Sequence, residues 1–424
     1  MDFFKPIETV MANRKLKVEA NYFMTGFKDI MIKGGDFYAI WDASRGLWSK
    51  DIGDAIRLID EELNNYAKAL KDDPKYDGYL ITVKNIDSSA SRGMDEFKHW
   101  YQKCAPDKYK WLDSNIVFQD QEVKRDDYAS FKLPYSMSEG DTSAWDELVE
   151  KLYSPFERRK IEYAIGSVIA GESKKLQKLF IFVGDAGTGK STILKIIDNM
   201  FKGYTSTIDI KSIGLGKDFA LESLSENPLV AIQDDVELDK ITENDRLNSI
   251  ISHENVMVNE KHKKLYQARF NTIIFAGANR EVQITDARSG MLRRIVDIEP
   301  TGETFDRKSY DNLMARIPFE YGAICKKCYD VFMEDPGYYN KYFPVKMIRA
   351  TNNMYNFVEE CYKDFLDDDD GTTLSVAWDC YKRYCELSDI RYPFDRIKFK
   401  LQLKDYFDKF SPDTIKNDRR VYSY

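Results

Sequence analysis

Short β-rich runs and one amphipathic stretch set the pattern of the first 140 residues. Residues 37–41 and 79–83 are compact apolar-aromatic runs of strand length, while 56–70 repeats its apolar positions at helical spacing. A polar break follows at 136–141. Two helices are predicted after it. The first has Ser143 and Asp146 as a capping box, with Trp145, Leu148, Val149 and Leu152 on one face; the second opens on Ser154, Pro155 and Glu157. From about 178 the pattern changes to fully apolar runs separated by helical segments, as a buried parallel sheet requires. The acidic run 367–370 reads as a solvated loop, and a small basic-aromatic unit with a helix over 376–387 closes the chain. The expected domains are a mixed α/β region with a helical segment at 1–150, a P-loop α/β domain at 151–340 and a small unit at 341–424.

Composition narrows the class. With 424 residues, 43% of them hydrophobic, each domain can bury a core of its own. No run approaches the roughly 18 apolar residues of a membrane span, and the N-terminus lacks a signal-peptide pattern, so a soluble, cytoplasmic protein with no membrane partner is expected. Six scattered cysteines fit a reducing compartment. Cys325 and Cys328 form a CxxC without a second matched pair, and Ile324, Val331 and Phe332 around them have the spacing of a half-buried helix. A formal net charge of -8 excludes a surface coated for nucleic acid, so any such site must be local.

The chemistry is concentrated between 180 and 300. Strand 179–183 runs into Gly184-Asp185-Ala186-Gly187-Thr188-Gly189-Lys190-Ser191-Thr192, a complete G-x4-GK[ST] phosphate loop in strand-loop-helix context. Its glycines let successive N–H groups turn inward, and the following helix aims its positive end at the phosphates of ATP. Lys190 would reach the β- and γ-phosphates, and the Ser191 hydroxyl would hold Mg2+. A second apolar strand, 229–233, ends in Asp234 and Asp235. The first suits the Mg2+ shell and the second the attacking water, although an acidic pair at a strand end can also cap a helix. A third strand, 272–278, ends in Asn279, whose amide could bond the γ-phosphate or the lytic water; alone it would be an ordinary turn residue. Arg288, Arg293 and Arg294 then precede the strand at 295–298, where an arginine could act on a neighbouring subunit's nucleotide.

These elements in this order, together with the segment 251–264 between Asp235 and Asn279, resemble the superfamily 3 helicases, in particular the phage and poxvirus primase-helicases. The resemblance implies an AAA+ P-loop three-layer core with a parallel sheet, preceded by a mixed α/β and helical region and followed by a winged-helix-like module. It implies a homo-oligomeric ring, a hexamer by family habit, moving on single-stranded or forked DNA, with Arg294 as the trans-acting arginine. It also places Lys261 and His262, supported by Lys263 and Lys264, at the tip of a DNA-gripping hairpin between short strands at 256–258 and 268–270. Gly187 stands where many relatives have a polar residue, and the upstream primase domain of such relatives has no counterpart here. The chain therefore reads as the helicase part of a longer primase-polymerase protein. The competing reading is an AAA+ ATPase for DNA loading, packaging or protein remodelling. A small-molecule kinase would not need Asn279, Arg294 or the Lys261-His262 segment.

Overall fold

The computed structural model describes residues 1–24, 26–88, 92–104, 108–236, 245–261, 265–280, 290–346, 348, 352–366, 372–388, 390, 393–407, 410–411 and 414–415. It divides into two compact units, Met1–Ser136 and Met137–Tyr424, so the break falls ahead of the boundary expected near 150.

The first unit holds two three-stranded sheets. One pairs β1 (Phe4–Met11) with β2 (Lys15–Tyr22) and β2 with β6 (Leu80–Val83); the other pairs β3 (Ile30–Lys33), β4 (Asp36–Asp42) and β5 (Leu47–Ser49). Helix α1 (Ile52–Lys71) starts where Asp51 accepts the Gly53 N–H. It buries Ala55, Ile59, Leu63, Ala67 and Leu70, the i, i+4 stripe that the 56–70 pattern predicts. Helix α2 (Gly93–Lys103) adds Phe97 and Trp100, and Trp100 stacks on Phe3 and Tyr22.

The second unit is built on a five-stranded parallel sheet. In sequence its strands are β7 (Leu179–Val183), β8 (Thr205–Thr207), β9 (Val230–Gln233), β12 (Ile273–Ala278) and β13 (Ile295–Ile298). In space they run β13-β7-β12-β9-β8, so the Asn279 strand lies between the phosphate-loop strand and the Asp234 strand. All five residues of β7 are buried, as expected of a strand covered on both faces. Leu179, Ile181 and Val183 join a core with α6 (Ile210–Gly214), α7 (Asp245–Ile251) and the hairpin of β10 (Asn255–Val258) and β11 (Tyr266–Arg269). Phe180 and Phe182 point the other way, to Phe275 and Tyr153.

Helices α3 (Ser143–Leu152), α4 (Pro155–Ile169) and α8 (Arg307–Glu334) belong to this unit. Helix α4 starts as the sequence predicts, with Ser154 accepting the Glu157 N–H and Pro155 in the first turn. Helix α3 does not use its expected capping box. The N–H groups of Ala144 and Trp145 go to the buried carboxylate of Glu320, 176 and 175 residues away on α8. A long-range anion at a helix N-terminus does the work that a local side chain usually does. Cys325 and Cys328 are buried on α8, and among the described residues no group of three or more potential ligands could hold a metal.

The last elements are helix Asn353–Leu366, strand Thr372–Thr373, helices Leu374–Leu387 and Arg396–Leu403, and strands Phe410–Ser411 and Thr414–Ile415, the last of which lies between the other two. Phe357, Tyr381 and Phe399 pack ring to ring at 4.7–5.8 Å. They belong to the same buried cluster as Leu179, Ala276 and Ile295. The expected separate unit at 341–424 thus shares its core with the sheet. Among the described residues no helix is long and apolar enough to cross a membrane.

Candidate nucleotide site

Parallel register places three strand ends side by side. Val183 pairs with Ala278 and Ala276 with Gln233, so the phosphate loop, Asn279 and Asp234 leave the sheet at one edge. Ligands of open parallel sheets bind outside the carboxyl ends of the strands. Gly277 makes the close approach possible, because a Cβ there would lie 2.3 Å from the Asp234 carbonyl oxygen. The Val236 N–H, donated to the Gly277 carbonyl at 2.8 Å, fixes the same junction. Gln233 braces it from below: its side-chain oxygen accepts the Ile210 N–H at 2.8 Å and its amide donates to the Asp235 carbonyl at 3.3 Å.

The loop adopts the left-handed turns that its glycines allow. Gly187 and Gly189 have φ of 83° and 92°, and helix α5 (Lys190–Met200) begins immediately after. A Cβ on Gly187 would meet nothing within 4 Å, whereas one on Gly189 would lie 2.6 Å from Leu152 Cδ1. The first glycine borders open space and the second is wedged against α3. Lys190 is buried, its ammonium donating to the carbonyls of Gly184 at 2.6 Å and Asp185 at 2.8 Å. Burial pulls its pKa below the usual lysine value, opposed by the carboxylates of Asp235, Asp185 and Asp234. The Thr188 hydroxyl donates back to the Asp185 carbonyl at 2.8 Å.

A cleft of about 440 Å³ brings the predicted residues together: Ala186, Gly187, Gly189, Lys190, Ser191, Thr192, Asp234, Asp235 and Asn279 all line it. The Asn279 amide donates to Asp235 Oδ1 at 3.3 Å. A positively charged group, a hydroxyl, two exposed carboxylates and an amide thus face one volume. Ser191 and Asp234 are hard oxygen donors, the set that suits a Mg2+ ion shared with phosphate oxygens. The opposite wall was not foreseen. Leu152 comes from α3, Thr304 and Phe305 from the segment that leads into α8 and Tyr310 from the first turn of α8, and the Thr192 hydroxyl lies 3.2 Å from that of Tyr310. No motif marks 301–310; its ties to α3, the Thr301 N–H on the Leu152 carbonyl and the Thr301 hydroxyl on the Lys151 carbonyl at 2.8 Å each, hold it beside the cleft.

Two expectations fare differently. Arg294 does not project from the chain. It is 6% exposed, and its guanidinium donates to Ser252 Oγ at 2.8 and 2.5 Å and to the Gly290 carbonyl at 2.6 Å. Those bonds tie the segment just ahead of β10 to the start of β13, and Arg293 is the exposed neighbour. The hairpin exists, with Val258 opposite Tyr266 as its last pair, and Lys261 is exposed just beyond it. His262, Lys263 and Lys264 lie outside the described residues, as do Arg288 and the acidic run 367–370. His253 anchors the hairpin base: its ring nitrogens lie 2.8 Å from the Phe270 carbonyl and 3.1 Å from that of Ser173.

A family described only as a family of unknown function (DUF5906) matches residues 182–294, the span from the phosphate loop to Arg294. No curated protein matches the chain. Among solved structures, apo structures of the NrS-1 C terminal region are similar. One has 13% identity and a TM-score of 0.45, covering 76% of this chain and 89% of that one. Two A form structures have 17% identity and a TM-score of 0.41 each, covering 56% and 65% of this chain and 61% and 66% of theirs. This chain therefore spans about three fifths of the first of those two. Likenesses of this order establish no function.

Proposed function

We propose that this chain is an ATP-hydrolysing motor of the helicase type, acting on DNA. The observation that carries the reading is the convergence of Lys190, Ser191, Asp234, Asp235 and Asn279 on one cleft at the carboxyl edge of a parallel sheet. In this reading the loop N–H groups and Lys190 bind the phosphates, Ser191 and Asp234 hold Mg2+, Asp235 orients and deprotonates the attacking water, and Asn279 fixes Asp235 and contacts the γ-phosphate. Insertion of the Asn279 strand beside the phosphate-loop strand supports an AAA+ core of the superfamily 3 kind, and the helix-strand-helix-helix-strand-strand order after 352 supports a winged-helix-like end.

Such a motor acts as a ring, hexameric by the same resemblance, in which a second subunit completes each site. Arg294, held inside its own subunit, is not assigned that role. Arg293, exposed beside it, is one cation that a neighbour could meet. The hairpin that leads to Lys261 faces the DNA strand in this arrangement. An ATPase assay with and without single-stranded DNA, paired with unwinding of a forked duplex, tests the reading. Hydrolysis stimulated by DNA but without unwinding would favour an AAA+ enzyme for loading, packaging or remodelling.

A further inference from the structure

The cleft takes up the carboxyl ends of β7, β9 and β12, whereas the hairpin is rooted at the amino ends: β11 leads through Phe270 into the start of β12. Two consecutive residues fasten that root. Ser252 Oγ accepts the Arg294 guanidinium just ahead of β13. The His253 ring, 4% exposed, faces the Phe270 carbonyl ahead of β12 at 2.8 Å and the Ser173 carbonyl ahead of β7 at 3.1 Å. Strands β13, β7 and β12 are neighbours in the sheet, so Ser252 and His253 clip the hairpin across three adjacent strands. Further bonds of the hairpin run elsewhere. Arg246 of α7 donates to the Met257 carbonyl at 3.3 Å, and the Asn259 amide donates to Asp218 Oδ1, between α6 and β9, at 3.4 Å.

The two contacts of His253 differ in what they join. Phe270 closes the root of the hairpin, which the chain already connects to β12. Ser173 adds a tie to β7, the strand that ends in the phosphate loop. We infer that His253 is a positioning residue that couples single-strand binding at the hairpin to nucleotide binding in the cleft, through its bond to the Ser173 carbonyl. This rests on the motor reading above and names the residue that carries its two halves. Directional bonds between packed elements are a physical route for such coupling.

The contacts can be kept singly. An asparagine amide nitrogen occupies nearly the place of the ring Nδ1, and that of glutamine the place of Nε2. His253→Asn therefore keeps the Phe270 bond and breaks the Ser173 tie, while His253→Gln does the reverse. His253 has a φ of 55°, which asparagine tolerates better than glutamine. A residue serving stability alone would make His253→Asn the milder change; coupling predicts the opposite order.

The test measures single-stranded DNA affinity of the full chain with and without a non-hydrolysable ATP analogue and Mg2+, together with basal phosphate release and melting. In wild type the analogue should change DNA affinity by about fivefold or more. His253→Gln should keep that factor and His253→Asn should lose it, to within about twofold of no effect, with basal release in both within about threefold of wild type. A folded His253→Asn with the wild-type factor overturns the inference, as does loss of the factor in a folded His253→Gln. A fall in basal release and melting temperature that parallels the lost factor overturns it as well, because His253 would then only support the fold. Wild type that hydrolyses ATP and binds DNA without any factor between them removes the coupling and leaves the motor reading standing. Wild type that neither hydrolyses ATP nor binds DNA overturns that reading and the inference with it.

Discussion

Lys190 and Arg294 are both buried cations bonded to backbone carbonyls, yet only Lys190 lines the cleft. Arg294→Ala therefore acts on stability. Losing its bonds to Ser252 and Gly290 should cost about 2 kcal/mol, read as a lowered denaturation midpoint with an unchanged m-value. Arg293→Ala should leave stability nearly unaltered and reduce hydrolysis only where subunits assemble; mixing it with Lys190→Ala subunits should restore part of the activity, while full activity in a strictly monomeric Arg293→Ala protein would remove it from the site. The phosphate loop was legible at single-residue resolution because its chemistry needs glycines, a lysine and a hydroxyl at fixed spacing. The direction of Arg294 was not, since adjacent arginines look alike in sequence, and its inward partners, Ser252 and the Gly290 carbonyl, carry no motif.

Elements were legible where local pattern and burial agree. The stripe of α1, the opening of α4 and the apolar runs of β7 and β12 follow from periodicity and capping residues. The start of α3 was not legible because Glu320 is distant in sequence; Asp146, expected in a capping box, instead accepts from Lys327 and Arg158 at 2.5 Å and from Thr142 at 2.8 Å. Burial pushes the Asp146 carboxyl upward, but the Lys327 and Thr142 hydrogen bonds and the Lys327 and Arg158 charges prevail and hold it below its ordinary value of 3.8. A lowered carboxyl pKa contributes stability that is present above pH 3.8 and lost as the pH falls through the folded-state value. Wild type should accordingly lose more thermal stability than Asp146→Asn between pH 6 and pH 3; equal losses would show that the group is not coupled to folding. Gly277→Ala should push the Asp234 backbone away, costing about 1–3 kcal/mol and lowering Mg2+-dependent hydrolysis. Wild-type melting and turnover in that variant would mean the strand ends are less closely joined than the 2.3 Å approach requires.

At the scale of the molecule, the parallel sheet was foreseen and the division of the chain was not. Composition does not reveal that Phe357, Tyr381 and Phe399 share a buried cluster with Leu179 and Ile295, because a cluster drawn from both ends of a unit leaves no local mark. Ending the chain at Asp370 should therefore expose that core and abolish ATPase activity through misfolding; a soluble, fully active truncation would restore the separable module that the sequence suggested. Replacing Lys261 and His262 together with Ala should weaken single-strand binding and stop unwinding while basal hydrolysis survives, and removing one lysine-phosphate pairing should lower the log-log salt slope by about 0.7. The hydrolysis and unwinding outcomes depend on the cleft being a site of ATP hydrolysis. The most direct measurement is steady-state phosphate release from Mg-ATP by wild type, Lys190→Ala and Asp235→Asn, with nucleotide binding followed in parallel. The expected result is a loss of at least about a hundredfold in both variants, with binding retained in Asp235→Asn; turnover at the wild-type rate from folded Lys190→Ala would contradict the assignment of the site.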